Sequence, residues 1–88
     1  MEQESLLSLI FYEDDVIKSY NCYYLDEDLI QITLSHDSNL VGSINLNSIQ
    51  LKSLLTFLEG VKDDYIEIDD VKIKKSFIQN LKPIINLE

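Results

Sequence analysis

Arginine and alanine are missing from this 88-residue chain, and cysteine, histidine and proline occur once each. A single cysteine, Cys22, excludes an internal disulfide, and nothing near the N-terminus pairs a basic region with an apolar run and a small-residue cleavage site, so the chain reads as intracellular. Two glycines, Gly42 and Gly60, and the lone Pro83 leave no glycine-rich phosphate loop, flexible linker or low-complexity segment, and no internal repeat is visible. Residues 1–88 therefore read as one domain. No apolar run approaches the roughly 18 to 20 residues that span a bilayer, and the acidic balance disfavours anionic lipid. The lone histidine, His36, has no C-x-x-C, H-E-x-x-H or H-x-E partner set, so no zinc site and no cofactor are expected. Asp26-Glu27-Asp28 and Asp37-Ser38-Asn39 match fragments of a calcium loop without its central glycine and terminal glutamate. Cys22 and His36 are a nucleophile and a base by residue type, but nothing in the sequence brings them together, and a strand cysteine is usually a small buried apolar residue. Without arginine a phosphoryl-transfer site is hard to build, and the chain is read as a non-enzyme.

What is present is apolar mass and acid. Hydrophobic residues make up 45% of the chain, which is enough for a folded core and well above the disordered class. A chain this short buries only about 60 to 65 per cent of its unfolded surface, so that core has to be efficient. Isoleucine, asparagine and lysine are plentiful while alanine and arginine, both encoded by GC-rich codons, are absent, as in a low-GC bacterium or one of its phages. The net charge is -9, and eight of those nine charges arise in residues 1–44, where nine carboxylates meet one lysine, Lys18. Residues 45–88 hold seven carboxylates and six lysines. Such a field repels nucleic acid and anionic membrane and attracts basic protein surfaces, at a rate that falls as salt rises.

The pattern along the chain predicts an α+β fold. The opening stretch from Glu4 to Phe11 reads as a short helix, with a strand as the alternative. Three strands follow, over about 16–25, 29–35 and 40–46: the first is rich in β-branched and aromatic residues, the second alternates Ile30, Ile32 and Leu34 with Gln31, Thr33 and Ser35, and the third places Leu40, Gly42, Ile44 and Leu46 on one side. They form an antiparallel meander. A helix over about 48–59 packs on it, with Asn47 and Gln50 at capping-box spacing, leucines at 51, 54, 55 and 58, and Gly60 at the C-terminal end. Residues 65–74 form a hairpin around Asp69-Asp70, pairing Ile68 with Val71, Glu67 with Lys72 and Ile66 with Ile73. Lys72 and Lys74 on one strand face protect an edge or pair with Glu67. A short C-terminal helix from Ser76, with Gln79 at capping-box spacing, ends at Pro83, and Ile84, Ile85 and Leu87 pack as an extended tail.

A meander collects its charge at its ends, because the loops hold the carboxylates. Glu13, Asp14, Asp15, Asp37, Asp63 and Asp64 are expected at one end, and Asp26, Glu27 and Asp28 at the other, about 30 Å away along a ten-residue strand. Tyr20, Tyr23 and Tyr24 between them offer rigid contact area. Spaced carboxylates can imitate the phosphates of a nucleic acid, although acidic turns also serve simply to keep small proteins in solution. In size, charge, lack of catalytic residues and meander-plus-helix layout the chain resembles the small acidic inhibitors of phages and mobile elements, the anti-CRISPR and DNA-mimic class. No motif carries that resemblance. It implies an inhibitor in the cytoplasm of a bacterial host that occupies a basic nucleic-acid-binding groove on a defence nuclease complex, with Asp14, Asp15, Asp26, Glu27, Asp28, Asp37, Tyr23 and Tyr24 as the partner-binding residues. No direct binding of nucleic acid or membrane is expected. The alternative is an interaction module of another kind, an immunity protein, antitoxin or adaptor that uses a sheet edge or a helix face, with a homodimer among the arrangements open to it.

Overall fold

A computed structural model describes residues 5–85. Four strands, β1 (Leu7–Glu13), β2 (Val16–Asp26), β3 (Leu29–His36) and β4 (Asn39–Asn47), pair antiparallel in sequence order. Helix α1 (Ser48–Leu58), a hairpin of β5 (Tyr65–Ile68) and β6 (Val71–Lys74), and two one-turn helices, α2 (Lys75–Gln79) and α3 (Leu81–Ile85), follow. The architecture is α+β with an antiparallel meander, as the sequence predicts, and the meander has one strand more.

That additional strand overturns the helix expected from Glu4 to Phe11. Leu7, Leu9 and Phe11 face the core while Ser8, Ile10 and Tyr12 face outward, so the period is two. Leu7 pairs with Cys22 and Glu13 with Val16 in an unbroken register. Glu4 itself lies outside the described residues.

Three connections are two-residue turns with both residues in the left-handed region: Asp14-Asp15, Asp37-Ser38 and Asp69-Asp70, all with φ between 49° and 73°. That geometry matches the right-handed twist of the flanking strands, and aspartate tolerates it better than most residues other than glycine and asparagine. The hairpin register is the expected one, Ile68 to Val71, Glu67 to Lys72 and Ile66 to Ile73.

The core lies on one face of the four-stranded sheet. Cys22, Ile30, Ile32, Ile44 and Leu46 pack with Leu51 and Leu58 of α1, with Phe77 and Ile78 of α2, and with Leu81 of α3. Tyr20 is 1% exposed and stacks between Phe11 and Phe77, with ring centroids 5.5 and 5.3 Å away. The β5–β6 hairpin crosses the same face: Val71 lies over Gly42 of β4, the Tyr20 hydroxyl donates to the Lys72 carbonyl at 3.0 Å, and Lys74 Nζ stands 4.6 Å from the centre of the Phe11 ring on β1. Gly42 permits this approach, since a Cβ there would come within 2.8 Å of a Val71 methyl.

Several local expectations change. Leu40 points outward, because a bulge between Leu34 and Ser35 in the β3–β4 register leaves Val41 unmatched and reverses the face beyond it. The Asn47–Gln50 capping box is present in both directions, with bonds of 2.8 and 2.9 Å. Gly60 follows the end of α1 without adopting the left-handed conformation of a glycine cap. Helix α2 begins at Lys75, with Lys74 as a cap that makes no side-chain bond, so Ser76 and Gln79 form no capping box. Pro83 sits within the first turn of α3, where its missing N–H leaves no intrahelical bond unmade, so it does not interrupt the helix, and Ile84 and Ile85 are helical rather than extended. Leu87 lies outside the described residues.

Candidate interaction surface

The turns place acid at both ends of the sheet. At one end the β1–β2 turn carries Asp14 and Asp15 and the β3–β4 turn carries Asp37, which bonds to the start of β2 just beyond the first turn. The Asp37 amide donates to the Ile17 carbonyl at 2.7 Å, and the Ile17 amide donates to Asp37 Oδ1 at 3.0 Å. The segment Asp63-Asp64 reaches the same end, because Tyr65 next to it donates its hydroxyl to Glu13, and the Lys75 amide donates to the Asp64 carbonyl at 2.8 Å. Asp70 joins them across a cleft of about 280 Å³ whose lining includes Lys18, His36 and Lys72. The strand pattern gave no sign that the hairpin turn would lie there.

At the other end Asp26, Glu27 and Asp28 form the β2–β3 connection, about 33 Å away along eleven residues of β2. Asp26 accepts from the Glu27 amide at 2.8 Å, and Asp28 accepts from the Ser48 amide at 3.2 Å. A carboxylate at the N-terminus of α1 both satisfies a free helix donor and meets the positive end of the helix dipole. Tyr24, Glu27 and Asp28 border a cleft of about 200 Å³ floored by Ile30, Leu46, Leu51 and Ile85.

The tyrosines divide three ways. Tyr20 is buried and is no contact residue; burial raises its hydroxyl pKa to about 12. Tyr23 lies on the outward face of the sheet, half-buried, and Tyr24 lies beside the second acidic end, 41% exposed. The sequence grouped all three, but neighbouring strand residues point to opposite faces.

The lysines explain why the acid stays uncompensated. Setting aside Glu2, Glu4 and Glu88, residues 5–85 hold thirteen carboxylates and all seven lysines. Among the described residues one ion pair forms, Lys18 Nζ to Glu13 Oε1 at 2.9 Å. Lys72 stands 4.7 Å from the centre of the Tyr65 ring, Lys74 stands over both Phe11 and Tyr65, and Lys75 donates to the Val61 carbonyl at 2.8 Å. The basic cluster of the second half is thus held on aromatic faces and a carbonyl. Lys72 lies opposite Glu67 in the register but makes no ion pair with it.

Glu13 is the exception among the acids. The Tyr65 hydroxyl and Lys18 hold its pKa below the ordinary carboxyl value, Lys18 is raised in return, and desolvation together with the Glu13 bond raises Tyr65 to about 12. This triad ties the hairpin to the end of the sheet.

Between its acidic ends, one of them closed by the row Asp26-Leu29-Asn47, the outward face of the sheet carries no charge. Its rows are Ser8-Asn21-Thr33-Ser43, Ile10-Ser19-Ser35-Leu40 and Tyr23-Gln31-Asn45, with Tyr12 paired to Ile17 beside the acidic turns. An ordinary surface, about 25 to 35 per cent charged, would put three or four charges on these thirteen positions. Ile10, Tyr12 and Leu40 are 70%, 68% and 65% exposed. The sequence hides all three: Ile10 and Tyr12 erase the polar half of the strand alternation, and an unmarked bulge turns Leu40 outward.

Cys22 and His36 are not brought together: His36 pairs with Lys18, four residues along β2 from Cys22, about 13 Å away. Cys22 is fully buried, which raises its thiol pKa to about 11. Among the described residues no group of three or more His, Cys, Asp or Glu side chains is placed to hold a metal ion, and no helix is long and apolar enough to cross a membrane. Comparison with family models, curated proteins and solved structures finds no match for this chain.

Proposed function

We propose that this protein is a small acidic inhibitor in the cytoplasm of a bacterial host cell. It docks its carboxylate-bearing turns on a basic, nucleic-acid-binding surface of another protein, a defence nuclease complex being the class of target that fits. The observation that carries the reading is the disposal of the lysines: with Lys72 and Lys74 over rings and Lys75 on a carbonyl, Asp14, Asp15, Asp26, Glu27, Asp28 and Asp37 have no cation of the described residues within ion-pair distance. A second support lies in the turns. Asparagine-glycine meets the left-handed geometry with less strain, yet the chain uses Asp14-Asp15 and Asp69-Asp70, which also set like charges side by side. Charge is retained at a cost to the backbone, and a cationic partner offsets it. Contacts of this kind set the rate of encounter and the choice of partner, while Tyr23 and Tyr24 supply rigid area that slows release.

The uncharged outer face favours a second reading, an immunity protein, antitoxin or adaptor that binds through the sheet itself. The two readings part in one experiment. Immobilised protein is exposed to the heparin-retained fraction of a low-GC bacterial lysate, and retained protein is eluted with salt or with duplex DNA. Inhibition by mimicry predicts that both release it, salt steeply. Retention that ignores both salt and DNA overturns it in favour of the second reading.

A further inference from the structure

The two edges of the four-stranded sheet are built differently. Strand β4 is interrupted by the bulge at Val41, and the β5–β6 hairpin closes over it at Gly42. Strand β1 has no bulge and no proline, its register against β2 is continuous from Leu7 to Glu13, and no charge falls between Leu7 and Tyr12. Its far side pairs with no strand among the described residues. Edge strands that stay single are ordinarily guarded by lysine, proline, bulges or short length, and β1 carries none of these along its first six residues.

We propose that β1 pairs antiparallel with β1 of a second copy of this chain, joining two sheets into one of eight strands. Charge selects this occupant. A chain of net charge -9 repels its own copies wherever its carboxylates approach one another, and the run Leu7–Tyr12 of the β1 edge carries none. In an antiparallel pair centred near Ile10 each Glu13 is three residues from the centre, so the two Glu13 carboxylates stand about 20 Å apart, more than two screening lengths at physiological salt. Asp14 and Asp15 lie farther out still. Packing through the outward face instead would crowd Asp15 and Asp37 of both copies, since these adjoin Tyr12 and Ile17. A basic partner has nothing to meet on the uncharged edge. Edge pairing also sets Ile10 against its counterpart and Ser8 against Tyr12, covering the two most exposed apolar side chains of β1.

The inference does not rest on the inhibitor reading, because salt acts on the two associations with opposite sign: binding to a basic partner weakens as salt rises, whereas two like-charged copies associate more tightly. Seven paired residues make a small interface, so the test uses high concentration. Sedimentation equilibrium of the full chain at up to about 1 mM is run from about 0.05 to about 0.5 M salt. A monomer–dimer equilibrium that shifts toward dimer with salt is expected. The double variant Ser8→Lys, Tyr12→Lys sets lysines opposite each other across the pair, at positions exposed in the monomer, and should weaken dimerisation about tenfold or more at unchanged circular dichroism. Leu40→Ser on the other edge should leave it intact. A monomer throughout, or a dimer indifferent to the two lysines, overturns the proposal.

Discussion

The two ends of the four-stranded sheet carry charge of the same sign and use it differently. At the β2–β3 end, Asp28 holds the first turn of α1 through the Ser48 amide and Asp26 fixes the Glu27 amide, so the acid takes part in the helix start. At the opposite end the backbone requires residues that tolerate left-handed dihedrals, and Asp14, Asp15 and Asp37 satisfy that requirement by side-chain type. Asparagine would satisfy it as well, and at Asp37 it would keep the acceptor for the Ile17 amide. Fold and charge are therefore coupled at one end and, Glu13 apart, separable at the other, and the separable acid is the part available to a partner.

The largest effect is expected where the hairpin is clamped onto the first end. Gly42→Ala drives a methyl into Val71 and should destabilise by about 1–3 kcal/mol, read as a lower midpoint in urea. Gly60→Ala, whose new Cβ meets nothing closer than the Phe57 carbonyl at 3.8 Å, should be neutral or gain about 0.4–1 kcal/mol. Equal losses at the two glycines would show that the hairpin does not press on Gly42.

The turns of the first end give the next largest effect. Ser38 holds a φ of 73° with neither the β-carbon freedom of glycine nor the side chain of asparagine. Ser38→Gly should stabilise by about 1 kcal/mol, seen as a higher thermal midpoint. A loss on that substitution would mean that the serine hydroxyl does more for the turn than its strained backbone costs.

The smallest effect concerns the Glu13–Lys18–Tyr65 tie and is read against pH. Glu13 has a lowered pKa in the folded state, so its contribution is complete above the ordinary carboxyl value of 4.5 and is lost as pH falls through the folded value. Tyr65 is raised to about 12, so its contribution is complete below its ordinary value of 10.0 and is lost as pH climbs toward the folded value. Between those limits the hydrogen bond is intact, and Tyr65→Phe should lower the thermal midpoint there by a similar amount at each pH. A difference that grew toward pH 4 would contradict the assignment.

The elements whose periodicity is clean were legible in the sequence. The Asn47–Gln50 box, the Ile30-Ile32-Leu34 alternation and the Ile66–Ile73 register all fell where local chemistry put them. Strand β1 was misread because Ile10 and Tyr12 are apolar on a solvent face, which erases the polar half of the alternation and leaves an apolar run. Leu40 was misplaced because a bulge adds one residue without any sequence mark. Of the site, the two acidic ends followed from strand length and turn position. The placement of Lys72 and Lys74 over rings did not, since it depends on how the hairpin crosses the sheet.

The central claim is that Asp14, Asp15 and Asp37 at the first end serve binding by their charge and not folding. Asp14→Asn, Asp15→Asn and Asp37→Asn combined remove three charges while keeping turn geometry and hydrogen-bond acceptors. The deciding measurement is the salt concentration that releases the captured basic partner from the triple variant, compared with the unmodified chain at matched thermal stability. Release of the variant's partner at distinctly lower salt is the expected result, and identical release by the two equally stable proteins would contradict the account.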